Sequence, residues 1–389
     1  MHSEPDAAPQ PARPLRILMT PGGARPLFNA LLTAVPGSQP VWTLPWSWRG
    51  YPETAGVAQR AWATFQQTAR RSSWRRWLPR PWAQTLIGWQ YNGMRRRFER
   101  EPGSLGVCWN GFDRNRLVFR LAARDAGHGC LCAELAPLPG VVTLDAQGVN
   151  DANSVPRDPA FYPAWAAAHP APFDWRAIGA NLTARKPRSA SAAAAAGPSE
   201  DELAAQPYLF LPLQVPGDSQ VRYFGDWIAS IEQLIEAVEQ AARHLPVGWH
   251  LRIKEHPSSR IRLGHLVGQQ PDSRCRLDNA SDTFTLVRHS RGVVTINSSV
   301  GLQSFFFDQP VIVLGRAFYG FEPLVQRARS VAELGALFGA AASLTVDARL
   351  REQFMRYLQQ DYFLPYDLKA GGPLTAAARQ HLARLMAQP

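Results

Sequence analysis

The chain has 389 residues, 46% of them hydrophobic, with a formal net charge of +11 and a pI near 10.0. That length suits two domains and the apolar content is ample for buried cores, while no apolar run approaches the roughly 18 residues of a membrane span. The charge favours an anionic partner (nucleic acid, acidic lipid or phosphorylated substrate), although Lys186, Lys254 and Lys369 are the only lysines and part of the charge reflects arginine-rich coding.

The opening residues 1–14, "MHSEPDAAPQPARP", are polar and proline-rich with no signal-peptide apolar region. They predict a disordered arm on a cytoplasmic protein. From Leu15, "LRILMTPGGARPLFNALLTAV" reads as a buried strand, a Pro-Gly-Gly turn and a helix, the opening of an α/β domain with a parallel sheet covered on both faces. "GVCWNGFDRNRLVFRLAARDAG" repeats the strand–helix pattern, and "CLCAELAPLP" gives a further strand and loop. A first domain over 15–183 follows. Residues 184–206 turn small, polar and low in complexity, and predict a linker. Beyond it, "YLFLPLQ", "HLRIKEHP", "GVVTINSS" and "PVIVLG" alternate with helical stretches such as "DWIASIEQLIEAVEQAARHL". That alternation predicts a second doubly wound domain over 207–345. Amphipathic helices close the chain over 346–389. Cys108, Cys130, Cys132 and Cys275 have neither disulfide-framework nor zinc-site spacing and read as buried thiols in a reducing compartment. Two Rossmann-like domains facing a cleft, with C-terminal helices, is the α/β layout of GT-B glycosyltransferases.

Three polar clusters follow strand-like runs of the second domain. "PLQVPGDSQ" carries Gln214 and Asp218, "RIKEHPSSR" carries Lys254, Glu255, His256 and Pro257, and "TINSSVG" carries Asn297, Ser298, Ser299 and Gly301. Any one of these alone is read more simply as an N-cap or a turn. Three at successive strand ends fall where open α/β sheets bind ligands. Their chemistry suits a phosphate-linked donor. Hydroxyls and helix-start amides cradle phosphate oxygens, Lys254 or His256 neutralises charge on a departing phosphate, and Asp218 supplies a base or a nucleophile. No paired carboxylates stand at a strand end, so no metal and no cofactor are expected.

These motifs, with "TINSSVGLQSFFFDQPVIVLGRAFY" and "GVNDANSVPRDPAFY", resemble those of bacterial capsule-polysaccharide β-Kdo transferases across roughly residues 105–320. The resemblance implies a GT-B fold, a CMP-β-Kdo donor and retaining transfer, building the Kdo linker on a phospholipid. It implies that His256 and Pro257 meet the cytidine monophosphate, that Ser298 and Ser299 bind its phosphate, and that Asp218, four residues after Gln214, is the nucleophile of a double displacement. Glu134 lies where the family tends towards Glu-Asn-Gly, whereas here Leu135 and Ala136 follow it. It is the candidate acid/base, and Asp145, Asn150, Asn153, Arg157 and Asp158 are assigned to the acceptor side.

Residues 69–100 mix arginines with Trp74, Trp77, Trp82, Trp89 and Tyr91. Trp74, Arg75, Arg76, Trp77 and Trp82 read as contacts with an anionic membrane surface, placing the protein peripherally on the inner face of the inner membrane. An arginine-rich helix with core tryptophans would look the same, and no RNA- or DNA-binding motif accompanies the stretch. The resulting expectation is a single-module, lipid-linker β-Kdo glycosyltransferase, a CMP-sugar-dependent enzyme working beside other capsule-assembly proteins. A CMP-sialic acid transferase of the same fold and a non-catalytic capsule-assembly or export scaffold are the rivals.

Overall fold

The computed structural model describes residues 13–20, 22–68, 78–184 and 197–387. The chain begins with β1 (Leu15–Leu18), every residue buried, and α1 (Arg25–Ala34), whose Pro26 fits the first turn because no intrahelical donor is needed there. β2 (Gln39–Val41), α2 (Thr54–Thr68), α3 (Arg80–Arg100), β3 (Leu105–Trp109), α4 (Arg114–Asp125), β4 (Cys130–Leu135) and β5 (Val141–Asp145) follow. Next come α5 (Phe161–Ala168), α6 (Glu200–Ala205), β6 (Tyr208–Pro212), α7 (Ser219–Phe224), α8 (Ile231–Ala242), β7 (His250–Lys254), β8 (Cys275–Leu277) and α9 (Thr283–His289). β9 (Val293–Thr295), α10 (Ser299–Gln303), β10 (Val311–Val313), β11 (Gln326–Arg327), α11 (Val331–Gly339), α12 (Ala348–Tyr357), β12 (Leu364–Pro365) and α13 (Ala376–Ala387) complete the chain.

Two units result. One comprises Met1–Ala136, Gly140–Ser154 and Phe363–Pro389, the other Pro137–Pro139 and Val155–Tyr362. The first holds a sheet ordered β12-β5-β4-β3-β1-β2. Its β1 to β4 pairings are parallel, but β5 runs antiparallel to β4. The short link between β4 and β5 cannot carry the crossover that a parallel neighbour needs. The second sheet, β11-β10-β9-β6-β7-β8, is parallel throughout. Its β6 and β9 are entirely buried, as strands covered on both faces require. Two α/β units, as the sequence implied, are therefore present.

The boundaries differ from the expected ones in three places. Residues 155–183, expected in the first domain, belong to the second unit, where Tyr162 stacks on Phe321 and meets Phe354 and Tyr357. The predicted linker 184–206 ends in α6, started by a Ser199–Glu202 capping box and anchored by buried Leu203. The expected C-terminal pair of helices separates: α12 stays in the second unit, while β12 and α13 return to the first and bury Leu364, Tyr366, Leu374 and Leu382 in its core. The predicted arm over 1–14 lies almost wholly outside the described residues. All four cysteines are buried and unbridged, with Cys108 and Cys130 Sγ 3.9 Å apart.

Candidate functional site

In the second sheet the chain runs from β6 outward through β7 to β8, then restarts at β9 and runs the other way. The order reverses between β6 and β9, and it is at such a point that the strand ends part and leave a crevice. Gln214 follows β6 and Asn297 follows β9. The Gln214 amide donates to Asn297 Oδ1 at 2.9 Å, and the Asn297 backbone N–H returns a bond to Gln214 Oε1 at 3.3 Å. Asn297 Nδ2 also donates to the carbonyls of Gln220 and Phe224, both at 3.1 Å, and so ties α7 to the same place. Gln214 and Asn297, expected as donor contacts, thus clasp the reversal point from within.

Asp218 is the N-cap of α7: its Oδ1 accepts the Gln220 N–H at 3.1 Å, in a turn closed by Gly217 at φ +77°. Ser298 caps α10 in the same way, accepting the Val300 N–H at 3.3 Å. An accepting hydroxyl keeps its own proton to donate. Ser299 is exposed, and its hydroxyl makes no hydrogen bond among the described residues. Of the cluster expected to cradle a phosphate, the Ser299 hydroxyl and the Ser298 proton are the groups not committed to hydrogen bonds among the described residues. Gly301 is corrected to a packing role, because a Cβ there would lie 2.3 Å from the Tyr319 hydroxyl. Tyr319, fully buried, donates to the Ser298 carbonyl at 2.5 Å, and burial pushes its phenol up, keeping that proton in place.

At the end of β7 the four expected residues diverge. His256 Nδ1 accepts the Ser258 N–H at 3.1 Å, which in a neutral ring places the proton on Nε2. Pro257 holds the turn between them. Lys254 is corrected: its ammonium donates to the carbonyls of Asn279 at 2.9 Å and Ser281 at 2.8 Å rather than waiting for a phosphate. Burial pulls its pKa down, against the pull of Asp278 and Asp282. Glu255 is corrected too. Its buried carboxylate accepts from the N–H groups of Leu263 at 2.6 Å and Gly264 at 2.9 Å and from Asn279 Nδ2 at 2.9 Å, with Arg262 at 3.3 Å. Those bonds saturate it and bind the loop after β7 to the loop after β8.

In the first unit the reversal lies between β1 and β3, with β4 beside β3. Glu134, half-buried near the end of β4, accepts from Asn110 Nδ2 at 2.8 Å. Asn110 follows β3 with φ +65°. Asp145 is corrected from acceptor contact to loop organiser: it accepts the N–H groups of Gln147, Gly148 and Ser154 and the Ser154 hydroxyl, all within 2.7 to 3.0 Å. Asn150, at φ +57°, leaves its Nδ2 buried without a partner among the described residues, and Asn153 is buried nearby in the chain. Arg157 and Asp158 fall in the second unit, where Arg157 donates to the Val155 carbonyl and exposed Asp158 caps the Ala160 N–H at 3.0 Å. The acceptor group expected in the first half is thus divided between the units. Trp74, Arg75, Arg76 and Trp77 lie outside the described residues. Trp82 is exposed at the start of α3.

Sequence reasoning missed Asn279, Asn110 and Tyr319. "DNASD" at 278–282 is a fourth polar cluster after a strand and was the available signal for Asn279. Asp278 beneath it pairs with Arg252 at 2.8 Å. Burial pushes the Asp278 carboxyl up, but the Ser281 N–H and hydroxyl and the Arg252 guanidinium outweigh it and hold the pKa below the usual range.

The family described as capsule polysaccharide biosynthesis protein matches residues 190–351. Protein FixF of Sinorhizobium fredii is 30% identical over 258 residues, 66% of this chain and only 60% of FixF. Capsule polysaccharide modification protein LipB of Neisseria meningitidis is 33% identical over 120 residues, 29% of each chain. Among solved structures, the KpsC β-Kdo 2,7 transferase of Thermosulfurimonas dismutans aligns with a TM-score of 0.47 and 13% identity over 76% of this chain and 88% of that one. The matched span, under half of the chain, contains the whole β6–β9 reversal point with Gln214, Asp218, His256, Ser298 and Ser299.

Proposed function

We propose that the chain is a retaining β-Kdo glycosyltransferase that takes CMP-β-Kdo and builds the Kdo linker on a lysophosphatidylglycerol-like phospholipid. It works peripherally at the cytoplasmic face of the inner membrane. The observation that carries this reading is the Gln214–Asn297 clasp. It holds an N-cap carboxylate, Asp218, and a hydroxyl pair, Ser298 and Ser299, around one sheet-reversal point. Asp218 attacks the anomeric carbon, the bond to the phosphate oxygen breaks, and CMP departs with the electron pair. The His256 Nε2–H and the serine hydroxyls donate to the charge that develops on it. The acceptor oxygen then displaces the carboxylate, with Glu134 proposed to take its proton. No metal or cofactor enters these steps.

A second reading, in which Asp218 only holds the turn, is favoured by its capping bond to Gln220. CMP release from CMP-Kdo with a lysophospholipid acceptor separates the two. Turnover lost in Asp218→Asn, which keeps the cap, supports the nucleophile. Turnover retained there but lost in His256→Ala supports the turn. No acceptor-dependent release by the wild type, and no thermal shift with CMP, would sink the transferase and leave the scaffold. CMP-sialic acid offered in parallel tests the rival donor.

A further inference from the structure

Tryptophan is normally kept from water by its large apolar area, yet the first unit displays Trp42, Trp46, Trp48, Trp82 and Trp89 on its surface, with Trp48 at 90% exposure. The segment carrying three of them is not loose. The Ser47 N–H donates to the Trp89 carbonyl at 3.0 Å, Asn92 Nδ2 to the Ser47 carbonyl at 3.2 Å, and Arg96 to the Ser47 hydroxyl at 3.2 Å. Gly93 permits the close approach, since a Cβ there would lie 2.1 Å from the Pro45 carbonyl oxygen. Trp46 and Trp89 pack with ring centroids 6.2 Å apart. Between this segment and α3 runs a groove of about 410 Å³, walled by Trp46 and Trp48 and floored by Arg96, Arg97 and Arg100. Glu101 also lines it, but that carboxylate is taken up by Arg16 and Arg97. Arg49, Arg96 and Arg100 have no acidic partner among the described residues.

We propose that this rigid tryptophan-and-arginine face docks on an anionic phospholipid surface, with indoles at headgroup depth and a lipid phosphate on the groove arginines. Rigid, outward indoles match the interfacial preference of tryptophan, and the unpaired guanidiniums complement an anionic leaflet. A single-stranded nucleic acid would use the same chemistry, but needs a basic track along several phosphates. Here Arg96 and Arg100, without an acidic partner among the described residues, line one groove beside the two indoles. The segment follows the C-terminal end of β2, the same edge of the sheet as Glu134 on β4, so docking would bring headgroups to that edge. The inference deepens the acceptor side of the proposed function, but its test uses no donor sugar and so fails or stands separately.

Full-length protein is floated with phosphatidylcholine vesicles and with vesicles containing phosphatidylglycerol. The wild type is expected on the anionic vesicles. Trp46→Ala/Trp48→Ala should lower the bound fraction roughly tenfold, and Arg96→Gln/Arg100→Gln should erase the preference for phosphatidylglycerol, with circular dichroism unchanged in both. Millimolar inorganic phosphate should leave vesicle binding intact, which separates a lipid surface from a free phosphate site. Equal binding by folded variants and wild type would overturn the proposal, as would absence of wild-type binding to anionic vesicles. Displacement from vesicles by a single-stranded oligonucleotide at lower concentration would overturn it in favour of nucleic acid.

Discussion

The site turns on single atoms. Gly301 lies under Tyr319 with 2.3 Å between its would-be Cβ and the phenol oxygen, and with Thr295 Cγ2 at 2.9 Å on the other side. Gly301→Ala is expected to cost about 1–3 kcal/mol by overpacking. Tyr319→Phe removes the shortest of these contacts and a hydrogen bond to Ser298, so the double variant should lose less than the sum, as a urea-unfolding cycle would read. Asp218 offers a sharper separation. Asp218→Ala forfeits the cap, about 1 kcal/mol, whereas Asp218→Asn keeps it, so a stable Asn variant without turnover assigns the carboxylate a chemical role. Which polar residues face a ligand was not legible, because a strand-end cluster looks alike whether its side chains point outward or knit the loops together. Glu255 adjoins His256 in sequence, yet its carboxylate is wholly spent on Leu263, Gly264, Asn279 and Arg262.

At the scale of elements, apolar spacing and capping residues made the main helices and strands readable. Ser230 starts α8, Asp282 starts α9 and Asp347 starts α12, each side chain accepting a first-turn N–H. The short strands β2, β8, β11 and β12 carry too few residues for periodicity to show. The antiparallel course of β5 follows from its short link to β4, a reading that needs the ends of both strands to be placed. The α3–Trp46 contact is likewise an element-level fact. Gly93→Ala forces the Pro45 carbonyl away, and we expect a loss of roughly 2–3 kcal/mol with faster proteolysis within residues 42–49.

Across the whole molecule, β12 and α13 complete the first unit although they follow the second in sequence. A chain ending at Tyr362 should therefore keep the second unit's hydrogen-exchange protection and lose that of β4 and β5, and equal loss in both units would contradict the assignment. The second unit should also carry its own pH signature. His250 is buried in β7 with neither ring nitrogen hydrogen-bonded among the described residues, and burial, then Arg276 and Arg252, pull its pKa from 6.5 down to about 4. Between those values the unfolded chain binds a proton that the folded unit does not. Stability is thus full above about pH 6.5 and falls as the pH drops towards 4, by up to about 3 kcal/mol. His250→Leu should flatten the wild-type melting temperature over that window, and parallel curves would refute the assignment.

By itself the sequence determined that two α/β units would form, where their principal strands and helices begin, and which strand ends carry polar clusters, because these follow from local periodicity, capping and composition. Only the tertiary structure decided that β6 and β9 adjoin, that Gln214 and Asn297 clasp there, that Lys254 and Glu255 serve the fold, and that the chain's end returns to its beginning. Those outcomes rest on contacts between residues far apart in sequence, and geometry across a sheet leaves no mark on the residues beside each one in the chain.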